Sequence, residues 1–355
     1  MPRRASDSVP DTFLAEIREQ PEALRRLVDA RADVEVVAEA LARRGVEVVR
    51  LVAHGSSDAA ASYGVYVFGL LPGWTAFRDS ISLSTYYRAE LDFSRSAVMA
   101  LSQSGETPDV VSYLRAARER GALTVAVTNE PRSALAEAAE WTLQLHAGDE
   151  RAVAATKTLL NTFAVLALLA GVAAGRGDEL AEALRTTADR IAAALPGLEE
   201  AVAPIATTFA YVGRMYVIGR GIEFGTAREI ALKLTETCRI AAEPLTSTDL
   251  SHGPIAALDA MFPVWAIASR DECLPALVAA AALARNAGAT LVATGNAAEE
   301  VPDAEFCLPV PEAPRAVLAP LLSLIPGQLF AAALARAKGL DAAQPAGLTK
   351  VTLAQ

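Results

Sequence analysis

VMALSQSGETPDVVSYLRAARERGALTVAVT, residues 98–128, reads as a buried strand, a hydroxyl-rich loop, a helix and a second buried strand. The pattern recurs downstream. Trp265-Ala-Ile-Ala-Ser269, Pro275 and Gly288-Ala289 repeat Val98-Met-Ala-Leu-Ser102, Pro108 and Gly121-Ala122 at an offset of 167 positions, and Thr290-Leu-Val-Ala293 repeats Thr124-Val-Ala-Val127 at 166. Leu51-Val-Ala-His-Gly55 and Val217-Ile-Gly-Arg-Gly221 form an earlier pair at nearly the same spacing. Short aliphatic runs at 48–53, 97–101, 124–128, 215–218, 264–268 and 290–294 alternate with segments of helical period, which predicts a doubly wound α/β architecture built as two tandem domains.

Working outward, residues 10–44 read as two helices, with Pro21 in the first turn of one. Residues 151–194 read as a long helical crossover ending at Pro196-Gly197. The expected divisions are an N-terminal helical segment (1–45), a first domain carrying the hydroxyl loop (46–196), a second domain (197–340) and a tail (341–355).

The chain has 355 residues, 52% hydrophobic and 6% aromatic, enough for about two domains with small aliphatic cores. A net charge of -10 and a pI near 5.0 disfavour nucleic acid or an anionic membrane as partner. Cys238, Cys273 and Cys307 show no paired spacing, so neither a disulfide framework nor a metal site is expected. Polar and charged residues follow Arg3-Arg4 where a leader would have an apolar core, and the apolar run 159–174 is broken by Asn161 and Thr162. The expectation is a cytoplasmic protein.

In the loop Ser102-Gln-Ser-Gly-Glu-Thr107, Thr107-Pro108-Asp109 reads as cap, first-turn proline and acidic second residue. The loop therefore lies between a strand's carboxyl end and a helix N-terminus, where free N–H groups and the helix dipole favour an anion. Ser102, Ser104 and Thr107 add hydroxyls, and Gly105 permits close backbone approach. Two readings fit these residues alone: an anion site, or an ordinary serine-rich turn with a cap. The parallel loop His54-Gly-Ser-Ser-Asp58 favours the first, since Ser57 is placed to donate to the same ligand. The repeat has lost these features, Ser269-Arg-Asp-Glu-Cys-Leu274 standing in their place. On the helix around Ala227-Ile230-Ala231-Leu234-Cys238, Lys233 and Glu236 share an edge, and by themselves they read as a helix ion pair with Glu229 and a solvated acid. Gly219-Arg-Gly221 lacks the third glycine and the ribose-binding acid of a dinucleotide fingerprint, so no nicotinamide cofactor is expected.

Val98–Thr107, Gly219-Arg-Gly221, EIALKLTETCRIAAE (229–243), Ser251-His-Gly-Pro254 and QPAGLTKV (344–351) together resemble the double-SIS-domain phosphosugar isomerases, the amidotransferase-free relatives of the glucosamine-6-phosphate synthase isomerase domain. The likeness runs from about Pro21 to Thr352. It implies two flavodoxin-like SIS domains and a homodimer; from the residues themselves no cofactor or metal is expected. Phosphate contacts are implied at Ser57, Ser102, Gln103, Ser104 and Thr107, and sugar contacts at Glu150 and Val153. It further implies Glu236 as the base moving a proton between C1 and C2, and Lys233 as the cation beside it. His252 would be the ring-opening group, donated across the dimer, and Lys350 the tail lysine next to the sugar carbonyl. The chain departs from the synthase at Ala155 (a serine), Ala241 (a histidine) and Thr235 (a lysine), and His54 stands where relatives carry a small residue or arginine.

The synthase begins with a nucleophilic cysteine of its glutaminase domain, where this chain has Pro2. Glutamine-dependent synthesis is therefore not expected, and the resemblance of Gly219-Arg-Gly221, Glu229-Ile-Ala-Leu-Lys-Leu234 and the 345–351 tail to the SIS-type deaminases implies the deamination of glucosamine 6-phosphate to fructose 6-phosphate and ammonia. Alternatives are a fructosamine-6-phosphate deglycase, a galactosamine-6-phosphate deaminase/isomerase, or a phosphosugar-binding regulatory protein without turnover.

Overall fold

The protein is described here from a computed structural model covering residues 11–351. Pro2, Arg3-Arg4, the expected helix start at Pro10, and Thr352 lie outside the described residues. In chain order the first half comprises α1 (Thr12–Arg18), α2 (Gln20–Asp29), α3 (Arg31–Arg43), β1 (Val48–Val52), α4 (Gly55–Leu70), β2 (Thr75–Arg78), α5 (Ile81–Thr85), β3 (Ser96–Leu101), α6 (Pro108–Glu119), β4 (Leu123–Thr128), α7 (Ala134–Ala138), β5 (Trp141–Gln144) and α8 (Lys157–Ala173). The second half comprises α9 (Gly177–Thr208), β6 (Arg214–Gly219), α10 (Phe224–Cys238), β7 (Ala241–Thr246), α11 (Ser247–Ser251), β8 (Val264–Ile267), α12 (Leu274–Asn286), β9 (Leu291–Gly295), β10 (Phe306–Pro309) and α13 (Ala319–Ala337).

Every strand pairing is parallel, in two five-stranded sheets ordered β2-β1-β3-β4-β5 and β7-β6-β8-β9-β10. The two orders are the same, so the sequence repeat is a repeat of topology, and the fold is the expected pair of flavodoxin-like α/β domains. In each, the chain steps outward from the first strand and then returns to the other side of it. The crevice between β1 and β3 is thus a topological switch point, flanked by the loops that begin at His54 and Ser102.

The aliphatic runs at the sheet centres form strands as expected, because β3, β4, β8 and β9 are buried at every position and tolerate no polar alternation. The outer strands β2, β5, β7 and β10 carry exposed or half-exposed positions and no continuous apolar run, so periodicity did not announce them. At the N-terminus there are three helices instead of two, with breaks at Glu19 and Ala30. Pro21 does lie in the first turn of α2.

Pro196-Gly197 does not end the crossover. Helix α9 runs for 32 residues through both Pro196 and Pro204. Its buried stripe Leu184, Ala188, Ile191, Leu195, Leu198, Val202 and Ile205 continues without a break in spacing. Burying that stripe against α2 and α13 outweighs the roughly 3 kcal/mol that an interior proline costs a helix.

One apolar core runs through both halves, from Phe13, Ile17 and Leu27 across Leu166 and Leu184 to Leu322 and Phe330, while two smaller clusters cover the outer faces of the sheets. Helix α13 is long and apolar enough to cross a membrane by length and composition, yet it is buried in this core. The halves meet where α4 packs on α10. A Cβ on Gly225 would stand 2.9 Å from the Ala59 carbonyl oxygen, so the approach there requires glycine.

Candidate active site

The loop after β3 is held by its own backbone. The Ser102 N–H donates to the Val127 carbonyl at 3.1 Å, which anchors the loop to β4. Asn129 N–H and the Thr128 hydroxyl both donate to the Gln103 carbonyl, each at 3.1 Å. Gly105 has φ +67, and a Cβ there would lie 2.0 Å from Ser133 Oγ, so the turn needs glycine both for its dihedral and for space. Its N–H donates to Ser102 Oγ at 3.2 Å, and Ser102 Oγ lies 3.2 Å from Thr107 Oγ1. Thr107 occupies the N-cap position of α6 without a side-chain capping bond. Thr107 is the cap as read, through its carbonyl, which accepts from the Val111 N–H at 3.1 Å, while its hydroxyl lies by Ser102 and lines the cavity.

Ser57, Ser102, Gln103, Ser104 and Thr107 line one cavity of about 550 Å³, together with His54, Gly55, Ile81, Ser82, Tyr86, Leu101, Asp109 and Lys350. All five expected phosphate contacts are thus brought together, from the ends of β1 and β3. Neutral hydroxyls and helix N-termini dominate this wall, an arrangement that suits a phosphate. Ile81, Ser82 and Tyr86 went unread because the β2–β3 connection carries no motif. Asp109 was read only as a first-turn acid.

Lys350 reaches the same cavity from the tail. Its Nζ donates to Glu150 Oε2 at 2.9 Å and to the Ala152 carbonyl at 2.6 Å. Glu150 is fully buried and also accepts from the Thr158 hydroxyl at 2.7 Å, the Thr158 N–H at 3.1 Å and the Thr156 N–H at 3.0 Å. Burial pushes its carboxyl up, but the Lys350 ammonium and the Thr158 donors outweigh that and hold it below the usual carboxylate range. Neither Glu150 nor Val153 lines the cavity. Glu150 acts by holding Lys350, and the Val153 N–H donates to the Ala343 carbonyl at 2.9 Å, stitching the tail to this loop.

Lys233 is buried on α10, bonded to Glu236 and 3.4 Å from Glu229. Burial alone would lower the lysine; the two carboxylates outweigh it and keep the ammonium charged above its ordinary value. Glu229 is the residue that sequence reasoning treated as a surface pair. It is fully buried, and neither carboxylate oxygen receives a hydrogen bond of good geometry, although the Ser56 hydroxyl and Lys233 stand near. Burial, with some repulsion from Glu236, pushes it up to about 7 against the pull of Lys233.

Glu236 does not line the hydroxyl-lined cavity. It opens into a second cavity of about 540 Å³, walled by Leu232, Thr235, Arg239 and the tail residues Gln344, Pro345, Ala346 and Leu348. The two cavities are neighbours: a Cβ on Gly55 in the first would stand 4.0 Å from Leu232 Cδ2 in the second, and the tail forms part of both walls. His252, at the end of α11, is exposed and lines neither cavity. Among the described residues no cluster of three His, Cys, Asp or Glu side chains is arranged to hold a metal.

The SIS domain model matches residues 46–171 and 208–337, one copy on each sheet. The chain belongs to the SIS domain family. At 35% identity over 96% of its length, this SIS chain is similar to the glutamine-fructose-6-phosphate aminotransferase (isomerizing) of Thermus thermophilus, of which it spans 58%. Among solved structures it superposes on the C-terminal domain of glucosamine-fructose-6-phosphate aminotransferase from Francisella tularensis with a TM-score of 0.86 at 27% identity, covering 96% of this chain and 100% of that one. A phosphosugar isomerase candidate from Silicibacter pomeroyi superposes with a TM-score of 0.84 at 32% identity, covering 94% and 99%. The family is that of the phosphosugar isomerases, and the hydroxyl loop lies in the first of the two copies.

Proposed function

We propose that this SIS chain deaminates glucosamine 6-phosphate to fructose 6-phosphate and ammonia. What carries the reading is the adjacency of a hydroxyl-lined phosphate cavity, reached by Lys350, to a helix bearing a buried lysine bonded to a carboxylate. The phosphate rests on Ser57, Ser102, Gln103, Ser104 and Thr107. The sugar extends toward α10, with Lys350 beside C1 of the opened chain. Glu236 removes the proton from C2 and returns it to C1, which turns the aldehyde into a hydroxymethyl group and the C2 amine into an imine; water then adds to C2 and ammonia leaves. Lys233, bonded to Glu236, holds that carboxylate in place. Ring opening is assigned to His252 supplied by a second copy of the chain in a homodimer, consistent with its exposure on this one.

The test is ammonia release, measured by a coupled assay, from glucosamine 6-phosphate, galactosamine 6-phosphate and fructosamine 6-phosphate without added metal or nucleotide. The highest kcat/KM is expected for glucosamine 6-phosphate. Glu236→Gln is expected to lower kcat by roughly 10²–10⁴-fold with phosphate binding retained. A pure wild-type protein that releases no ammonia from any of the three sinks the proposal.

A further inference from the structure

His54 stands at the mouth of the phosphate cavity, at the N-cap of α4, with no capping bond from its side chain. Its Nε2 lies 2.7 Å from Asp109 Oδ2. The pair joins the two loops of the switch point, since His54 follows β1 and Asp109 lies in the first turn of α6 beyond the hydroxyl loop. The histidine side chain is 56% exposed and Asp109 13%, so the imidazole covers the carboxylate from the solvent side.

Asp109 is out of place in an anion cavity. Among the described residues, the acidic and basic side chains that line this one are His54, Asp109 and Lys350, and Lys350 is already engaged by Glu150. A bare carboxylate beside the hydroxyl loop would repel a phosphate over a few ångströms of poorly solvated space. The neighbouring acid Asp58 is neutralised differently, by Arg78 at 2.6 Å and Arg228 at 2.5 Å. Asp109 has the imidazole as its partner, together with the N–H of Val110 on its other oxygen at 2.8 Å.

We infer that His54 is a specificity-determining residue of this cavity: by bonding Asp109 it masks the carboxylate, which lets an anionic sugar phosphate occupy a cavity that would otherwise favour neutral sugars. The inference rests on the reading of the cavity as a phosphate site and adds to it a residue that works through another. Direct contact between the imidazole and the phosphate is not required, and that is what the test separates.

Titration calorimetry with inorganic phosphate and with fructose 6-phosphate, on the whole chain, is run for the wild type, His54→Ala, Asp109→Asn and the double variant. Asn keeps the shape and the acceptor for Val110, and His54 is exposed, so all four proteins should fold. His54→Ala is expected to weaken both ligands about ten-fold by unmasking the charge. Asp109→Asn should bind at least as tightly as the wild type, and the double variant should match Asp109→Asn within about two-fold, because the imidazole has nothing left to mask. Equal binding by His54→Ala and the wild type overturns the inference, as does a double variant as weak as His54→Ala alone. A wild type that binds neither ligand overturns the phosphate reading itself and the inference with it.

Discussion

The two SIS copies share a strand order but not a cavity. In the first, Ser57 after β1 and Ser102 after β3 open onto about 550 Å³; in the second, the corresponding space after β6 and β8 is about 10 Å³. Extending the repeat from Gly55/Gly221 sets Glu223 opposite Ser57, and Ser269 opposite Ser102. Glu223 is fully buried and accepts from the Ser269 hydroxyl at 2.5 Å, Thr226 at 2.6 Å and Ser323 at 2.8 Å. Burial pushes its carboxyl up, and those three hydroxyls pull against it. Gly105, forced into the left-handed region, is matched by Glu272, whose backbone does not enter it. In the second copy, a side chain of the chain itself accepts from the hydroxyls at this position. The hydroxyls after the third strand of each repeat thus face open space in the first copy and a buried carboxylate in the second, and the residue after the first strand, Ser57 or Glu223, marks the difference.

The most forceful way to break this comparison is to make the first copy resemble the second. Ser57→Glu should abolish phosphate binding, by at least about 100-fold, because the new carboxylate competes for the same donors and repels the ligand. Calorimetry with fructose 6-phosphate reads the change, and retained affinity would show that Ser57 and Glu223 are not equivalents.

A second experiment sharpens what a buried carboxylate costs when donors are lacking. Glu229, unlike Glu223, has no hydroxyl donors of good geometry and is raised to about 7. The folded state therefore holds a proton that the unfolded chain, with its carboxyl near 4.5, has already lost, so stability falls as pH rises from about 4.5 to 7. Denaturant unfolding of Glu229→Gln across that window should show this fall reduced by roughly 2–3 kcal/mol relative to the wild type. Parallel pH profiles for the two proteins would remove Glu229 as its source.

The smallest expected effect is at Glu223 itself. Glu223→Ala leaves Ser269 and Ser323 without their acceptor but also releases a buried acid, so a net loss of about 1–2 kcal/mol is expected in denaturant unfolding at pH 7. A stabilised variant would mean that the carboxylate is a burden on the second copy and not its plug.

Much of this was legible locally. Central strands buried on both faces must be aliphatic throughout, so β3, β4, β8 and β9 declared themselves, whereas β7, with Glu243 and Pro244 in the sequence of an outer strand, did not. The Pro196-Gly197 break was misread because a local rule was applied where long-range burial governs. The equivalence of Ser57 and Glu223 was open to sequence reading, since it needs only two more positions of the repeat. The burial of Glu229 was not, because an i to i+4 pair with Lys233 looks the same on a surface helix and at a packed one.

By itself the sequence determined the tandem α/β repeat, the hydroxyl loop at a strand end, and the loss of that loop in the second copy, because each is written in neighbouring residues through periodicity, turn chemistry or direct comparison. Only the tertiary structure decided that Lys350 is tied to Glu150 across 200 positions, that Glu236 opens into a cavity beside the hydroxyl-lined one instead of into it, and that His54 is bonded to Asp109. Those facts depend on which distant segments the shared core brings within a few ångströms of each other, and no local pattern carries that distance.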